Sequence, residues 1–160
     1  MSAQTIEKLE NQILQIEALP SGSLFSLTIT EDELTAAAEE LLAQYSAAIQ
    51  DSIQQAIGVR LTVSDPKITF RNNEMLMTAK GGKGFLKVNA SLRASVIWNG
   101  TTLNVDIKSV DVPIVSVDPA SINAYLQGPL NSYVGQLKQY YEIRSFSVGE
   151  GKIELEAMKK

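Results

Sequence analysis

Apolar and polar residues alternate on both sides of Asn99-Gly100, over the stretch NASLRASVIWNGTTLNVDIKS at residues 89–109. Asn-Gly between two alternating runs predicts a β-hairpin with a two-residue type I′ turn. Such a turn places Trp98 opposite Thr101, and the apolar residues of both strands then share one face. We therefore expect an antiparallel strand pair with one apolar face that other parts of the fold must cover.

Residues 30–58 carry apolar side chains at helical spacing, which predicts one long amphipathic helix. Thr30 and Glu33 have the spacing of a capping box at its start, and Gly58 suits the position just after its end. At 1.5 Å per residue, this helix would be roughly 40 Å long.

A second long amphipathic helix is predicted from Pro119 to about Tyr140, with Asp118 as its N-cap. Pro129 lies inside this pattern and has no N–H to donate to the carbonyl of Tyr125. We therefore expect a kink or a break in the helix at that point.

The rest of the chain adds a short helix within 3–19, a short strand at 24–29, a strand meander over 59–115 and a terminal hairpin around 149–151. In the meander, Asp65-Pro66 predicts a turn or bend, KGGKG predicts a loop, and Pro113 predicts a bulge. The order helix, meander, helix, hairpin is typical of an α+β fold with an antiparallel sheet. We interpret residues 1–160 as a single domain.

Composition narrows the classes of function. The chain has no cysteine and no histidine, which excludes disulfides, thiol nucleophiles, Cys/His zinc sites and imidazole bases. No apolar run is long enough to span a membrane, and the polar start MSAQTIEKLENQ shows no leader-peptide pattern. We expect neither catalysis nor a cofactor or metal.

Charge is unevenly distributed along the chain. Residues 1–58 contain nine acidic and one basic residue, whereas residues 59–97 contain seven basic and two acidic residues. The basic middle either complements an acidic helix of the same chain or meets an anionic surface. With a pI near 4.9 and no aromatic platform between the basic positions, nucleic-acid binding is not expected.

Four stretches carry a family resemblance: ITEDEL, VIWNGTTLNVDIKSVDVP, VDPASINAYLQGPLNSYV and IRSFSVGEGKIELEA. Their order and apolar patterns resemble the tubular lipid-binding (TULIP) superfamily and, within it, the LmeA-like phospholipid-binding proteins of bacterial envelopes. The resemblance covers a module at residues 30–157, preceded by an extension at 1–29. It implies a curved antiparallel sheet wrapped around two long helices, and a location in the cell envelope.

The resemblance further implies that a phospholipid or fatty acyl chain binds without catalysis in an apolar slot between helices and sheet. A homodimer would extend the slot into a longer tube. The expected slot residues come from the first helix, the hairpin and the second helix: Leu34, Ala38, Leu41, Tyr45, Ile49, Ile53, Ala90, Leu92, Ala94, Val96, Trp98, Leu103, Val105, Ile107, Ile122, Leu126, Leu130, Tyr133 and Leu137. Lys80, Lys83 and Lys87 would face lipid head groups or an anionic membrane surface.

The alternative hypothesis is a structural or protein-interaction domain whose core is filled and which has no ligand. The small residues of the slot fit both hypotheses, because alanine leaves room for a ligand and also permits close packing of helix on sheet. A cystatin-like inhibitor fits less well, since the chain has no Gln-x-Val-x-Gly segment and has a second long helix.

Overall fold

The computed structural model describes residues 3–113 and 116–160 and has an α+β fold with antiparallel sheets, as the sequence predicts. Its elements in chain order are α1 (Ala3–Glu17), β1 (Leu24–Thr30), α2 (Glu31–Gln44), α3 (Ser46–Ile57), β2 (Thr62–Arg71), β3 (Glu74–Lys83), β4 (Leu86–Trp98), β5 (Leu103–Asp111), α4 (Pro119–Tyr140), β6 (Tyr141–Val148) and β7 (Lys152–Lys159). One sheet has the strand order β2-β3-β4-β5, and the other has the order β1-β7-β6. Because β1 pairs with β7, the segment before α2 is part of the second sheet.

The first long helix of the sequence analysis is two helices, α2 and α3, which meet at Tyr45. Tyr45 leaves helical geometry at φ −121° and ψ 29°. Its N–H still donates to the carbonyl of Leu41, and its carbonyl accepts from the N–H of Ile49, both at 2.9 Å. The prediction of one unbroken helix is therefore wrong, although these two hydrogen bonds keep the helices joined without a loop.

The predicted ends of these helices are confirmed. The Thr30 hydroxyl accepts from the N–H of Glu33 at 3.2 Å, and Gly58 ends α3 in the left-handed region at φ 77°. Asp118 caps α4 by accepting from the N–H of Ala120 at 3.0 Å. α4 runs through Pro129 as one helix, so the break expected there does not occur.

The β4–β5 hairpin pairs Trp98 with Leu103, so the predicted pairing of Trp98 with Thr101 is wrong by two residues. The connection is a longer loop closed by Asn99, whose N–H donates to the carbonyl of Thr102 at 3.1 Å. The Asn99 side-chain oxygen also accepts from the N–H groups of Thr101 and Thr102, at 2.9 and 2.8 Å. Because the side-chain period of a strand is two, this shift leaves the residues next to the turn on their predicted faces.

Farther from the turn, β5 contains a bulge at Lys108, whereas the sequence predicts a bulge at Pro113. Ala94 pairs with Ile107 but Arg93 pairs with Ser109, so Lys108 is an extra residue. A one-residue insertion exchanges the two faces of the strand beyond it. Consequently the apolar face that includes Ile107 continues with the next valine, Val110.

A second bulge lies in β2 and corresponds to the predicted bend at Asp65-Pro66. Ser64 pairs with Lys80 and Lys67 pairs with Thr78, so one residue of β3 faces both Asp65 and Pro66. Asp65 has φ 51°, which fits the local distortion of a bulge. The strand continues through this point, and its apolar face passes from Val63 to Ile68.

The predicted KGGKG loop is also corrected, because Gly81 and Gly82 belong to β3 and are buried. A Cβ on Gly82 would lie 2.4 Å from the Thr62 hydroxyl on the adjacent strand, which explains why a glycine occupies this position. Only Gly84 and Phe85 connect β3 to β4, and Gly84 has φ 66°, the sign that the first position of a type II′ turn requires.

Helix side chains cover both edge strands of the four-stranded sheet. At the β2 edge, the N–H of Ile68 donates to the Thr35 hydroxyl at 3.0 Å, and the N–H of Phe70 donates to the Glu31 carboxylate at 2.8 Å. At the β5 edge, the Asn123 side-chain oxygen accepts from the N–H of Ile107 at 2.7 Å. These contacts satisfy backbone donors that an edge strand otherwise leaves unpaired.

The hydrophobic core occupies one half of the inner face of this sheet. We define the core cluster as the buried residues Ile68, Phe70, Val96 and Val148. α2 and the β6–β7 hairpin cover it, and the N–H of Gly151 donates to the carbonyl of Phe70 at 3.2 Å. The other half of the face lies under α3 and the start of α4, where the packing differs.

Candidate functional site

An apolar cavity of about 310 Å³ lies on the half of the sheet that the core cluster does not fill. Its walls are formed by α3, all four strands of the sheet, the first turns of α4, and Val112 and Val117 between β5 and α4. The cavity is open to the surface on one side. Its lining consists of Ile49, Ser52, Ile53, Ala56, Ile57, Leu61, Val63, Met77, Ala79, Lys80, Gly81, Ala90, Ser91, Leu92, Val110, Val112, Val117, Ile122, Tyr125 and Leu126.

The two bulges determine which residues reach this cavity. Leu61, just before β2, and Val63 on β2 line the cavity, while Ile68 and Phe70 farther along β2 pack in the core cluster. The bulge lies between these two pairs. On β5 the same division separates Ile107 from the valines that follow Lys108. On each edge strand, the inner-face side chains on one side of the bulge are buried in the core, and those on the other side line the cavity. The inserted residue shifts the alternation so that apolar side chains lie on the inner face on both sides of the bulge.

The helices over the cavity are less deeply packed than α2. Within the described residues, α3 and α4 contain no buried side chain, whereas α2 buries Glu33, Thr35 and Ala36. Ile49 and Ile53 of α3 are half-buried although they face the sheet. The gap beneath α3 and α4 is therefore a consequence of small and medium-sized side chains on surfaces that do not close on each other.

The cavity lining contains few polar residues. Lys80 is the only charged residue of the lining found in the described part of the chain, and its ammonium group is 3.5 Å from the Asp65 carboxylate. Both side chains are more than half exposed, so this ion pair is screened by solvent and contributes little to stability. The interior is consequently suited to hydrocarbon and offers no array of groups for acid–base chemistry.

A second charged cluster lies outside the cavity, at the β5 edge. The hydrogen bond from the Lys108 ammonium group, at 2.6 Å, lowers the pKa of the Asp106 carboxyl, and the Asn123 amide also donates to this carboxylate at 3.1 Å. Asn123 also bonds to the backbone of Ile107, so this side chain links α4, one wall of the cavity, to β5.

The expected slot residues fall into four groups in the structure. Cavity-lining residues among them are Ile49, Ile53, Ala90, Leu92, Ile122 and Leu126. Buried residues, or residues packed against the core cluster, are Leu34, Ala38, Ala94, Val96, Leu103, Val105 and Ile107. Exposed residues outside the lining are Leu41, Tyr45 and Tyr133, and half-buried residues outside it are Trp98, Leu130 and Leu137.

Sequence reasoning missed the part of the lining that depends on the bulges. Strict alternation from Ile107 would place Ser109 on the inner face, whereas the structure places Val110 there. The signal was present in the sequence as two pairs of apolar residues, Val63/Ile68 and Ile107/Val110, separated by an odd number of positions. An odd separation between apolar residues of one strand is the mark of a bulge.

The three lysines expected to face head groups lie on the β3–β4 hairpin near the open cavity. Lys80 is on the cavity lining, Lys83 pairs with Leu86 at the end of the hairpin, and Lys87 pairs with Gly82. All three are exposed. These lysines lie on strands β3 and β4, between the cavity and the end of the hairpin, and not in the predicted loop.

Two further observations concern membrane-spanning helices and metal ligands. None of the helices in residues 3–113 and 116–160 combines the length and the hydrophobicity that crossing a membrane requires. In the same residues, no three Asp or Glu side chains come together as metal ligands.

No protein-family model and no curated protein sequence matches this chain. The functional evidence therefore lies in the cavity and its surroundings.

Proposed function

We propose that the protein binds the acyl chain of a lipid, or a similar apolar ligand, in the cavity between α3, α4 and the four-stranded sheet, without catalysis. The observation that carries this proposal is an open cavity of about 310 Å³ with an almost entirely apolar lining. Pockets for small ligands are typically about 300–1,000 Å³, with apolar walls and a few polar groups. The proposal includes contact of Lys80 with a negatively charged head group; since the Lys80 side chain alternates with the cavity-lining Ala79 and Gly81, this contact would be made outside the cavity.

The resemblance to TULIP proteins supports the same proposal. In those proteins, as the resemblance implies, acyl chains lie between long helices and a curved antiparallel sheet. The antiparallel sheets of this chain and the apolar cavity beneath its helices are consistent with such a role. We extend the proposal to a TULIP-like module at residues 30–157 and to a location in the cell envelope.

The chemistry of the chain is consistent with binding alone. Without histidine or cysteine, serine and threonine hydroxyls have no imidazole base to activate them. Burial of hydrocarbon needs no such group, since it contributes about 0.8 kcal/mol for each methylene removed from water.

The proposal is tested by filling the cavity. Ala90 lies on the cavity wall formed by β4, and Ala90→Trp places an indole in the space. We expect this variant to bind a fluorescent fatty acid at least about tenfold more weakly than the wild type, as judged from a few lost methylene contacts. Thr78→Trp is the matched control, because Thr78 is exposed, lies on the neighbouring strand and is not part of the lining.

Circular dichroism and urea denaturation establish that both variants fold. If Ala90→Trp does not fold, Ala56→Leu fills the cavity from α3 and gives a second test. Unchanged fatty-acid binding in a folded Ala90→Trp variant would contradict the proposed site. A wild-type protein that binds no fatty acid would favour the interaction domain instead.

A further inference from the structure

The tip of the β3–β4 hairpin exposes two large apolar residues beside the cavity. Phe85 is fully exposed at the second position of the turn, and Leu86 next to it is 51% exposed. An exposed aromatic side chain at a projecting turn adds nothing to the core. Exposed apolar side chains that are grouped at one point of a surface commonly mark a contact with a partner or a membrane.

The charges around this tip are all of one sign. Lys83 and Lys87 lie on either side of Phe85, and the described residues give neither an ion-pair partner. From Met75 to Val105 the sequence contains no Asp or Glu. The tip therefore carries a local positive charge on a chain whose net charge is −4.

An apolar track joins the tip to the cavity. The inner face of β4 carries Leu86, Val88, Ala90 and Leu92 in succession, and the last two line the cavity. On β3, Gly81 lies opposite Val88 and has no side chain to interrupt the track. At about 3.4 Å per residue, Leu86 at the start of β4 lies roughly 14 Å from the cavity-lining residue Ala90.

We propose that this hairpin tip docks the protein on an anionic lipid bilayer, with Phe85 and Leu86 inserted among the lipids and Lys83 and Lys87 on the head groups. A projecting tip of this shape needs a partner that deforms around it, which a fluid bilayer does. Lysine side chains can keep their stems in the apolar layer and their charges at the phosphates. This inference rests on the proposed function, because docking on a bilayer would bring a lipid-binding cavity to its source of lipid.

The test measures co-flotation of the full chain with vesicles of phosphatidylcholine alone and of an equimolar mixture with phosphatidylglycerol. We expect binding to the anionic vesicles that weakens as salt rises. Phe85→Ser should weaken this binding about tenfold or more, because an inserted aromatic side chain is lost. Leu24→Ser is the matched control, since Leu24 is 65% exposed but lies on β1 in the other sheet.

The lysines give an independent readout. Lys83→Gln should weaken binding to the anionic vesicles about fivefold, the equivalent of about 1 kcal/mol for one basic residue at an anionic surface. Lys8→Gln, on the exposed surface of α1, should leave it unchanged. Equal effects of Lys83→Gln and Lys8→Gln would mean that net charge alone, and not the tip, causes the attraction.

The same variants separate the two proposals. Phe85→Ser should retain fatty-acid binding in solution, because Phe85 is not part of the cavity lining. A wild-type protein that binds fatty acid but floats with no vesicle would overturn the docking inference and leave the proposed function in place. Vesicle binding that depends on Phe85, with fatty-acid binding absent, would overturn the proposed function instead.

Discussion

The length of the bound hydrocarbon chain is the most quantitative consequence of the cavity. A volume of about 310 Å³ is that of about ten water molecules at roughly 30 Å³ each, and a methylene group is of similar size. Each methylene that enters contributes about 0.8 kcal/mol, or about a fourfold gain in affinity. Affinity should therefore rise about fourfold per methylene until about ten are enclosed, and more slowly thereafter.

The slower rise beyond that length has a structural reason. The cavity is open on one side, so additional methylenes extend along exposed apolar residues such as Leu86 and lose only part of their contact with water. Ten enclosed methylenes correspond to about 8 kcal/mol before the cost of association, which is of similar size. The absolute affinity is therefore a small difference between two large terms, and the dependence of affinity on chain length is the quantity that the cavity predicts.

The assay is displacement of a fluorescent fatty acid by saturated fatty acids from hexanoate to palmitate, each kept below its micellar concentration. Ala90→Trp provides the internal comparison, because it shortens the available space and should move the change of slope to shorter chains. An affinity independent of chain length would mean that the cavity does not take up the hydrocarbon chain. A slope that stays constant as far as palmitate would show that the ligand lies elsewhere than in this cavity.

Three further predictions concern the frame around the cavity. Thr35→Val leaves the buried N–H of Ile68 without its acceptor at the β2 edge and should lower the free energy of unfolding in urea by about 1–3 kcal/mol. Pro129→Ala should raise that free energy by about 2 kcal/mol, because alanine restores a helix donor inside α4. The pKa of Asp106 is lowered chiefly by Lys108, so its stabilising effect is present near neutral pH and is lost as pH falls below about 4. Asp106→Asn should therefore reduce stability at neutral pH and have no effect in strong acid, as measured by denaturation at both pH values.

A comparison with a control variant or a second pH value can contradict each of these three predictions. Thr28→Val changes an exposed threonine of β1 and should be neutral, so equal losses at both sites would show that the Thr35 hydroxyl is not needed. Gln136→Ala makes an exposed change in the same helix as Pro129, and a gain equal to that of Pro129→Ala would reflect helix propensity alone. A loss for Asp106→Asn that persists unchanged in acid would contradict a charge-dependent contact.

The sequence predicted the parts of the fold that depend on local chemistry. Helix ends followed from Thr30, Gly58 and Asp118, because a capping side chain or a left-handed glycine acts within a few residues of its position. Alternation of apolar and polar residues correctly predicted which residues next to the turn share the apolar face of the β4–β5 hairpin. The two-residue error in strand register did not change this face, because side chains alternate with a period of two. The α+β class followed from the order of these elements.

The parts that depend on tertiary contacts could not be predicted in the same way. The end of α2 at Tyr45 has no proline or glycine to mark it, and the apolar stripe continues across it. Asn99 closes a longer loop with its own side chain, which competes with the two-residue turn that Asn-Gly favours. The bulge at Lys108 interrupts an otherwise regular strand pattern, so alternation does not predict Val110, which lines the cavity from β5.

If the proposed function is correct, a lipid occupies the cavity under α3 and α4. The first experiment is native mass spectrometry of gently purified protein, followed by organic extraction and lipid analysis. We expect a lipid retained at fixed stoichiometry by the wild type and by Thr78→Trp, and lost from Ala90→Trp. A bare mass for the wild type, with no uptake when phospholipid vesicles are offered, would mean that the cavity is not a lipid site.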